Sequence, residues 1–423
     1  MSARPPPVSG VARGLRLGRA AVEAGAFGLA ERLGINRSAE ADGARSHRAL
    51  LAALLELRGA AAKVAQFLSL ESDLLPEAVA RELAAACHRV PAMSAAFARD
   101  MVRSRLGPIE QHFHAFEPRP FAAASLGQVH AATTRCGQPV AVKVQYPGME
   151  QAVRSDLRLL RRATALLDHA AHHRRLLDEV EQRLLEECDY EREADSLAWF
   201  QQQLAVDGVT VAGVLPALCA PGVLTMTRLP GLHLDDWLRS GPQPEEKDLA
   251  AQRLYDVFVQ SMHGLGRLHA DPNPGNMLFD GAGSIGLLDF GCTRWIPADY
   301  QHIFTRIWRA AVAVDDQAAH AVYRDMGLFA HVSPPTAWEL DQSALTPFRN
   351  WLALPFRVDR FDFGAQPDFV AEGRRHFLKM IRDQALIGIR SEFILVNRTL
   401  YGLYRIFERL QARVRCQTAW TSG

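Results

Sequence analysis

A chain of 423 residues, 48% hydrophobic and 22% charged, is long enough to bury a sizeable core and to form two or three structural units. Its net charge of +1 withholds the basic face that a nucleic-acid binder uses to neutralise phosphates, so no nucleic-acid partner is expected. Six scattered cysteines (Cys87, Cys136, Cys188, Cys219, Cys292, Cys416) show neither CxxC pairs nor His partners at zinc spacing, which argues against a disulfide framework and a structural zinc and for reduced thiols.

Residues 1–45 read as an Arg/Ala-rich leader in which Arg4, Arg13, Arg16 and Arg19 precede the first acid, Glu23. Either a solvated leader or a membrane-surface or transit segment has this composition, and the apolar stretch is too broken for a secretory signal. Residues 46–110 predict a helical unit, Ala/Leu-rich and broken at Pro76 and Pro91. The pattern then changes. Residues 111–229 predict a strand-rich lobe: "FAAASLGQVHAAT", a turn at "RCGQP", and "VAVKVQYPG", followed by amphipathic helix through "LLEECDYEREADSLAWF" and a strand, "GVLTMTRLPG", that closes in a Pro-Gly turn. Residues 230–423 predict a larger helical lobe interrupted by one motif, "HADPNPGN" (His269 to Asn276), and its strand pair, which ends in "DFG" (Asp289 to Gly291). No repeat of 20 to 50 residues is visible, and no apolar run reaches the ~18 residues a membrane-spanning helix requires.

Phosphoryl transfer asks a protein mainly for positioned charge: metals on the phosphates, a cation on the α/β oxygens and a carboxylate to orient the acceptor. Asp289, at the end of the apolar strand "IGLL", is the candidate ligand for Mg²⁺, and Asn276 for a second metal position. Asp271 is the candidate to orient or deprotonate an acceptor hydroxyl or water. DPxPG is also ordinary turn chemistry, so each residue alone has a structural reading; the ordered spacing H-x-D-x4-N followed by Asp289 is what points to nucleotide and metal. His269 reads as a brace for the loop rather than a base.

Only four lysines occur among the 48 basic residues, and one of them, Lys143, follows the strand formers of "VAVK". A compact ammonium kept in an Arg-saturated chain suits a lysine that meets nucleotide phosphates. Its carboxylate partner is expected on the helix "EECDYEREA", where Glu187 and Glu191 would share one face and Asp189 and Glu193 another. Where a glycine-rich phosphate loop would stand, "AAASLGQVH" has one glycine, Gly127, and the residue two beyond Asp271 is Asn273, where serine/threonine kinases usually carry a lysine.

With "KVAQFLSLESDLLP" (Lys63 to Pro76), these features resemble the UbiB family of atypical kinases, the AarF-related group, over about residues 46 to 410. "KVAQ" matches its KxGQ motif, "AAASLGQVH" its Ala-rich loop, "ECDYEREA" its ExD motif, and "VAVK", "HADPNPGN" and "DFG" the kinase core. The resemblance implies an α+β, protein-kinase-like two-lobed fold, with a small β-rich N-lobe, a larger helical C-lobe and an N-terminal helical extension packed over the nucleotide cleft. By position it makes Lys63 and Gln66 the extension's pair, with Glu187 the partner of Lys63. Lys143 would pair with Glu193, Glu187 being the alternative. Ala122, Ala123, Ala124 and Ser125 would form the phosphate loop, and Met226 the adenine-binding link between lobes. Lys63 and Gln66, three apart, can share a helix face. Ala65 departs from the family's glycine.

The function implied is Mg²⁺-dependent binding and turnover of ATP (or ADP), in support of ubiquinone or other isoprenoid-lipid metabolism rather than general protein phosphorylation. A nucleotide-binding pseudokinase that gates a partner or lipid site is the alternative, and a conventional protein kinase a third reading. An isoprenoid lipid or quinone precursor is the expected small-molecule partner. Peripheral membrane contact through amphipathic helices is expected, since no hydrophobic span follows Leu410, in a protein that is cytoplasmic or on the inner face of a membrane. The sequence leaves the oligomeric state open.

Overall fold

A computed structural model describes residues 95–418 apart from 125, 165–177, 179, 180, 183, 331 and 384–390. The proposed leader and extension, including Lys63, Ala65 and Gln66, lie outside the described residues, as does Ser125. The chain forms two compact units: one runs to Arg192 and takes in Leu215–Met226, and the other comprises Glu193–Val214 and the chain from Thr227.

The first unit opens with α1 (Ala95–Leu106) and an antiparallel sheet of β1 (Phe113–Phe116), β2 (Ala122–Ala124), β3 (Gly127–Thr134) and β4 (Pro139–Gln145). Period-2 alternation explains β4. Val140, Val142 and Val144 face a core with Val102, Ile109, Phe113 and Phe116, which puts Lys143 on the opposite face. Helix α2 (Met149–Thr164) follows, with Met149, Val153 and Leu157 buried against Leu126 and Leu184. The chain is helical at residues 184–187 and helical again in α3 (Tyr190–Gln203). After β5 (Val209–Val211) it returns to the first unit for β6 (Val223–Thr227), which completes the sheet order β1-β3-β4-β6 with β2 on β3.

One sequence expectation fails here. "EECDYEREA" is not a single helix, because Cys188 and Asp189 interrupt it and the Asp189 carboxylate accepts the Arg192 amide at 2.9 Å. An Asp carboxylate bonded to an amide three residues on is a helix N-cap. Glu187 therefore ends one helix and Glu193 lies in the first turns of the next, so faces reckoned for one continuous helix do not apply.

In the second unit α4 (Pro244–Val259) starts with a reciprocal capping box between Gln243 and Glu246 and ends in a π-turn, Gln260–Gly264, that delivers the chain to β7 (Arg267–His269). Two small sheets follow. β8 (Met277–Phe279) pairs antiparallel with β9 (Ile285–Leu287), which pairs parallel with β5, and β7 pairs antiparallel with β10 (Thr293–Trp295). The rest is mainly helical: α5 (Ala298–Val312), α6 (Asp316–Asp325), α7 (Thr346–Ala353), α8 (Phe369–Arg382) and α9 (Ser391–Leu410). A short pair, Phe361–Asp362 with Arg413–Val414, is a further strand contact not expected in this helical lobe. Within it the buried Arg349 is held by Asp341 at 3.1 Å and Asp316 at 2.6 Å.

The π-turn carries a buried titratable group. His263 packs edge-on to Trp308, and burial pushes its pKa from 6.5 down to about 4. A folded-state value below the unfolded one means that stability is intact above pH 6.5 and is lost as the pH falls toward 4, by up to about 3 kcal/mol. Replacing His263 with Leu should therefore widen the difference in Tm between variant and wild type as the pH drops through that window. Parallel Tm profiles would show that the group does not titrate as its burial demands.

Candidate active site

One hairpin, β8–β9, and one long-range strand pair, β7–β10, position the motif residues of the second unit. Asp271 follows β7, Asn276 precedes β8, and Asp289 lies between β9 and β10. Pairing of β7 with β10 sets His269 opposite Thr293, and pairing of β8 with β9 sets Met277 opposite Leu287. The register continues past the strands, for the Ala270 amide donates to the Cys292 carbonyl at 2.9 Å and the Leu288 amide to the Asn276 carbonyl at 3.0 Å. Catalytic-type loop and DFG segment are thus cross-linked by main chain on both sides of the two aspartates.

Side chains complete the link. His269 Nε2 donates to the Asp289 carbonyl at 2.7 Å, and its ring meets Phe290 edge-on. A carbonyl only accepts, so the proton sits on Nε2 and that atom is not a base. Asn276 Nδ2 donates to Asp271 Oδ2 at 2.6 Å. Because an ionised carboxylate also only accepts, the amide nitrogen must face Asp271, which turns the Asn276 oxygen outward as the atom that could meet a cation. Asp289 Oδ1 accepts the Gly291 amide at 2.9 Å. Asn273 Oδ1 takes the Gly275 amide at 2.9 Å and so is used in the turn.

Asp271 is half-buried by surface, yet protein packs closely around its carboxyl. Desolvation raises its pKa above the usual 3.8, the Asp289 charge adds to the rise, and His269, Arg398 and the Asn276 N–H act against it. A divalent ion of the Mg²⁺ type needs only one or two protein carboxylates when phosphates supply the other oxygens. Asp289 and the Asn276 oxygen fit that donor set. Among the described residues no group of three or more His, Cys, Asp or Glu forms an all-protein metal cage. Glu193, buried on α3, belongs to the same unit, with Oε2 3.9 Å from where a Cβ on Gly291 would lie.

In the first unit Lys143 is buried to 7% exposure, and its Nζ lies 4.9 Å from the centroid of the Tyr190 ring. Tyr190 lies within the ExD segment "ECDYEREA". Gly127 is required by close approach, since a Cβ there would fall 2.3 Å from the Val144 carbonyl and 2.8 Å from Tyr190 Oη. Ala122–Ala124 form a strand whose partners are Val129, Gln128 and Gly127, an extended backbone that suits alanine without any glycine. Met226, 5% exposed, is the last residue of this unit before the chain crosses at Thr227. Glu187 also belongs to this unit.

Sequence reasoning overlooked two residues of α9. Gly402 lies so close to the catalytic-type loop that a Cβ would come within 2.2 Å of Pro272 Cγ, and Arg398 acts electrostatically on Asp271. An isolated glycine in the amphipathic text "LYGLYR" was the available signal.

Fold and site define a protein-kinase-like chain. A family model for the ABC1 atypical kinase-like domain matches residues 85–323, and the chain belongs to that family, the UbiB/AarF group of atypical kinases. It is 28% identical over 372 residues to atypical kinase COQ8, mitochondrial, of Saccharomyces cerevisiae, covering 85% of this chain and 72% of that protein. To atypical kinase COQ8B, mitochondrial, of Rattus norvegicus it is 27% identical, covering 86% of this chain and 69% of that one. The solved structure of Rv3197 from Mycobacterium tuberculosis, in complex with erythromycin, superposes with a TM-score of 0.63 at 24% identity, over 90% of this chain and 97% of that one, and so shares the fold. Among the described residues no helix is long and apolar enough to cross a membrane.

The desolvated carboxylate has a stability consequence. With the folded-state pKa of Asp271 raised, ionisation costs stability as the pH rises from 3.8 through the folded value. Asp271→Asn keeps the shape and removes the charge, so Tm at neutral pH should rise by a few degrees, with the gain vanishing in acid. A lower Tm at pH 7 would show that ionised Asp271 is a net stabiliser.

Proposed function

We propose that this protein is an ATP-dependent phosphotransferase or ATPase of the atypical kinase type, working with Mg²⁺. The observation that carries the reading is the pair of cross-linked aspartates, with Asp271 bonded to Asn276 at 2.6 Å and the Asp289 carbonyl bonded to His269 at 2.7 Å. Asp289 and Asn276 would hold the metal, which when bound neutralises the phosphate oxygens. Asp271, its carboxyl raised in pKa, is suited to take a proton from an acceptor hydroxyl or water. Lys143 supplies the compact cation for α/β-phosphate oxygens, and Ala122, Ala123 and Ala124 of β2 line the phosphate side, with Ser125, outside the described residues, completing the phosphate loop in the resemblance. Met226 is suited to the adenine segment by its place where the chain changes units. Lys63 and Gln66 would belong to the extension, with Glu187 the partner of Lys63, and the extension would be the feature that turns the activity away from general protein substrates.

Turnover tests this directly. Purified protein should hydrolyse ATP with Mg²⁺, and Asp289→Asn should lower the rate by about 10²-fold or more, the scale expected when a group stabilising transition-state charge is lost. Nucleotide binding with no turnover above that variant would favour the second reading, a pseudokinase. That reading has its own support, because the site of the kinase lysine is occupied by Asn273, whose side chain is committed to the turn.

The substrate class we infer is an isoprenoid lipid or quinone precursor, on the resemblance to UbiB proteins and the likeness to chains named COQ8. Peripheral membrane contact, in the cytoplasm or an equivalent compartment, accords with that class. Deleting the gene in its host should deplete the quinone pool. An unchanged lipid profile would remove the pathway and leave the nucleotide chemistry in place.

A further inference from the structure

We propose that Tyr190 is a positioning residue for Lys143: its ring holds the ammonium where nucleotide phosphates would be met and sets it against the corner of β2 and β3. The inference rests on the phosphotransferase reading, in which Lys143 is the cation for those phosphates. An ammonium in a residue only 7% exposed has lost most of its water, and such a group is tolerated where other partners replace the lost hydration. Its cross-strand neighbour on β3 is Val129, whose side chain has no polar atom. The Tyr190 ring serves better. Lys143 Nζ lies 4.9 Å from its centroid, within the range at which the negative face of an aromatic ring attracts a cation.

The same side chain reaches the corner. Tyr190 Oη would lie 2.8 Å from a Cβ on Gly127, the first residue of β3, so one side chain touches the lysine with its face and the phosphate-side strands with its tip. The break at Cys188 and Asp189 makes this reach available. Before it, Leu184 is buried with Leu126, the residue that precedes Gly127. At it, the Cys188 carbonyl accepts Gln145 Nε2 at 2.8 Å, and Gln145 stands two residues beyond Lys143 on β4, on the same face of the strand. After it, Asp189 caps α3 through the Arg192 amide, which fixes the backbone from which the buried Tyr190 projects. On one continuous helix, Leu184 and Tyr190 would point about 120° apart. The break lets both meet neighbouring residues of one corner.

A lysine stem has four rotatable bonds, and ordering it when a ligand binds costs free energy. Held on the ring, the stem is ordered beforehand. A ring face carries no net charge, so it holds the ammonium without neutralising it, and the full charge remains to act on phosphate oxygens. Gln145 and Leu184 keep the ring in register with β4 and the corner, while Tyr190 alone of the three meets Lys143 through a printed face of π-electrons.

Dissociation constants for Mg-ATP and Mg-ADP, with Tm, should be measured for wild type, Tyr190→Phe, Tyr190→Leu, Lys143→Met and the double variant Lys143→Met/Tyr190→Leu. We expect Tyr190→Leu to weaken both nucleotides about fivefold to tenfold, the scale of one desolvated cation–π contact, and Tyr190→Phe, which keeps the ring face, to stay within about twofold of wild type. In the Lys143→Met background the Leu substitution should cost less than about twofold more, because the two side chains act as one unit. A tyrosine that only packs would lower affinity by the same factor with or without Lys143, and that result overturns the proposal. A Phe variant as weak as Leu, or a Leu variant as tight as wild type, overturns it too. Binding by Lys143→Met as tight as by wild type would instead remove Lys143 from the phosphotransferase reading, and with it the purpose of positioning the lysine. Failure of the wild type to bind either nucleotide would overturn both.

Discussion

The site depends on the tie between two segments that are separate in sequence, the loop after β7 and the turn before β10. A loop containing two prolines, a glycine and two asparagines makes only one short turn of its own, Pro274–Asn276 capped by Asn273, and the Asp-Phe-Gly turn is equally short. Main-chain pairing of β7 with β10 fixes their mutual register, and the imidazole of His269 closes the remaining gap by donating to the Asp289 carbonyl. The bond uses the backbone of Asp289 and leaves its carboxylate to other work. His269 therefore acts on position and not on protons, which is why a histidine in this motif need not be a catalytic base.

Holding two aspartates this close has an electrostatic cost that the surroundings only partly offset. Removal of water raises the proton affinity of Asp271 and the neighbouring Asp289 raises it further, while Asn276 and the positive groups pull it back. Such a pair of carboxylates carries the imbalance wherever no counter-charge offsets it, and a divalent ion would be the largest charge able to do so. The carboxyl that costs stability is thereby the one suited to accept a proton.

Much of this was legible in the sequence because strands and turns leave short-range marks. Apolar strand formers around Lys143 predicted β4, and Asp271, Asn276 and Asp289 lie at the ends of strands joined by the β8–β9 hairpin and the β7–β10 pairing. The failure at "EECDYEREA" has an equally local cause. Asp189 was counted as one more acid on a helix face, whereas an Asp between an acidic helix end and a Tyr-led helix start is also good capping chemistry, and capping won. Long-range packing left no comparable mark. Nothing adjacent to Tyr190 announces that its ring lies beside Lys143, and the contact of Gly402 with Pro272 joins positions 130 residues apart in the chain.

The two glycines that matter here are the ones with close neighbours, and they clarify the alanines. Gly127 cannot hold a Cβ because the Val144 carbonyl and Tyr190 hydroxyl occupy the space, and Gly402 cannot because Pro272 does. Ala122–Ala124, by contrast, sit in an extended strand in register with β3, a backbone conformation that needs no glycine. The Ala-rich segment is thus not a glycine loop that has lost its glycines. It is an extended strand paired with β3, and glycine is kept at Gly127, where the Val144 carbonyl and the Tyr190 hydroxyl converge. The approach of Gly402 to Pro272 has a consequence of its own: packing against α9 restrains the loop after β7, so a ligand that used this loop would have less disorder to remove.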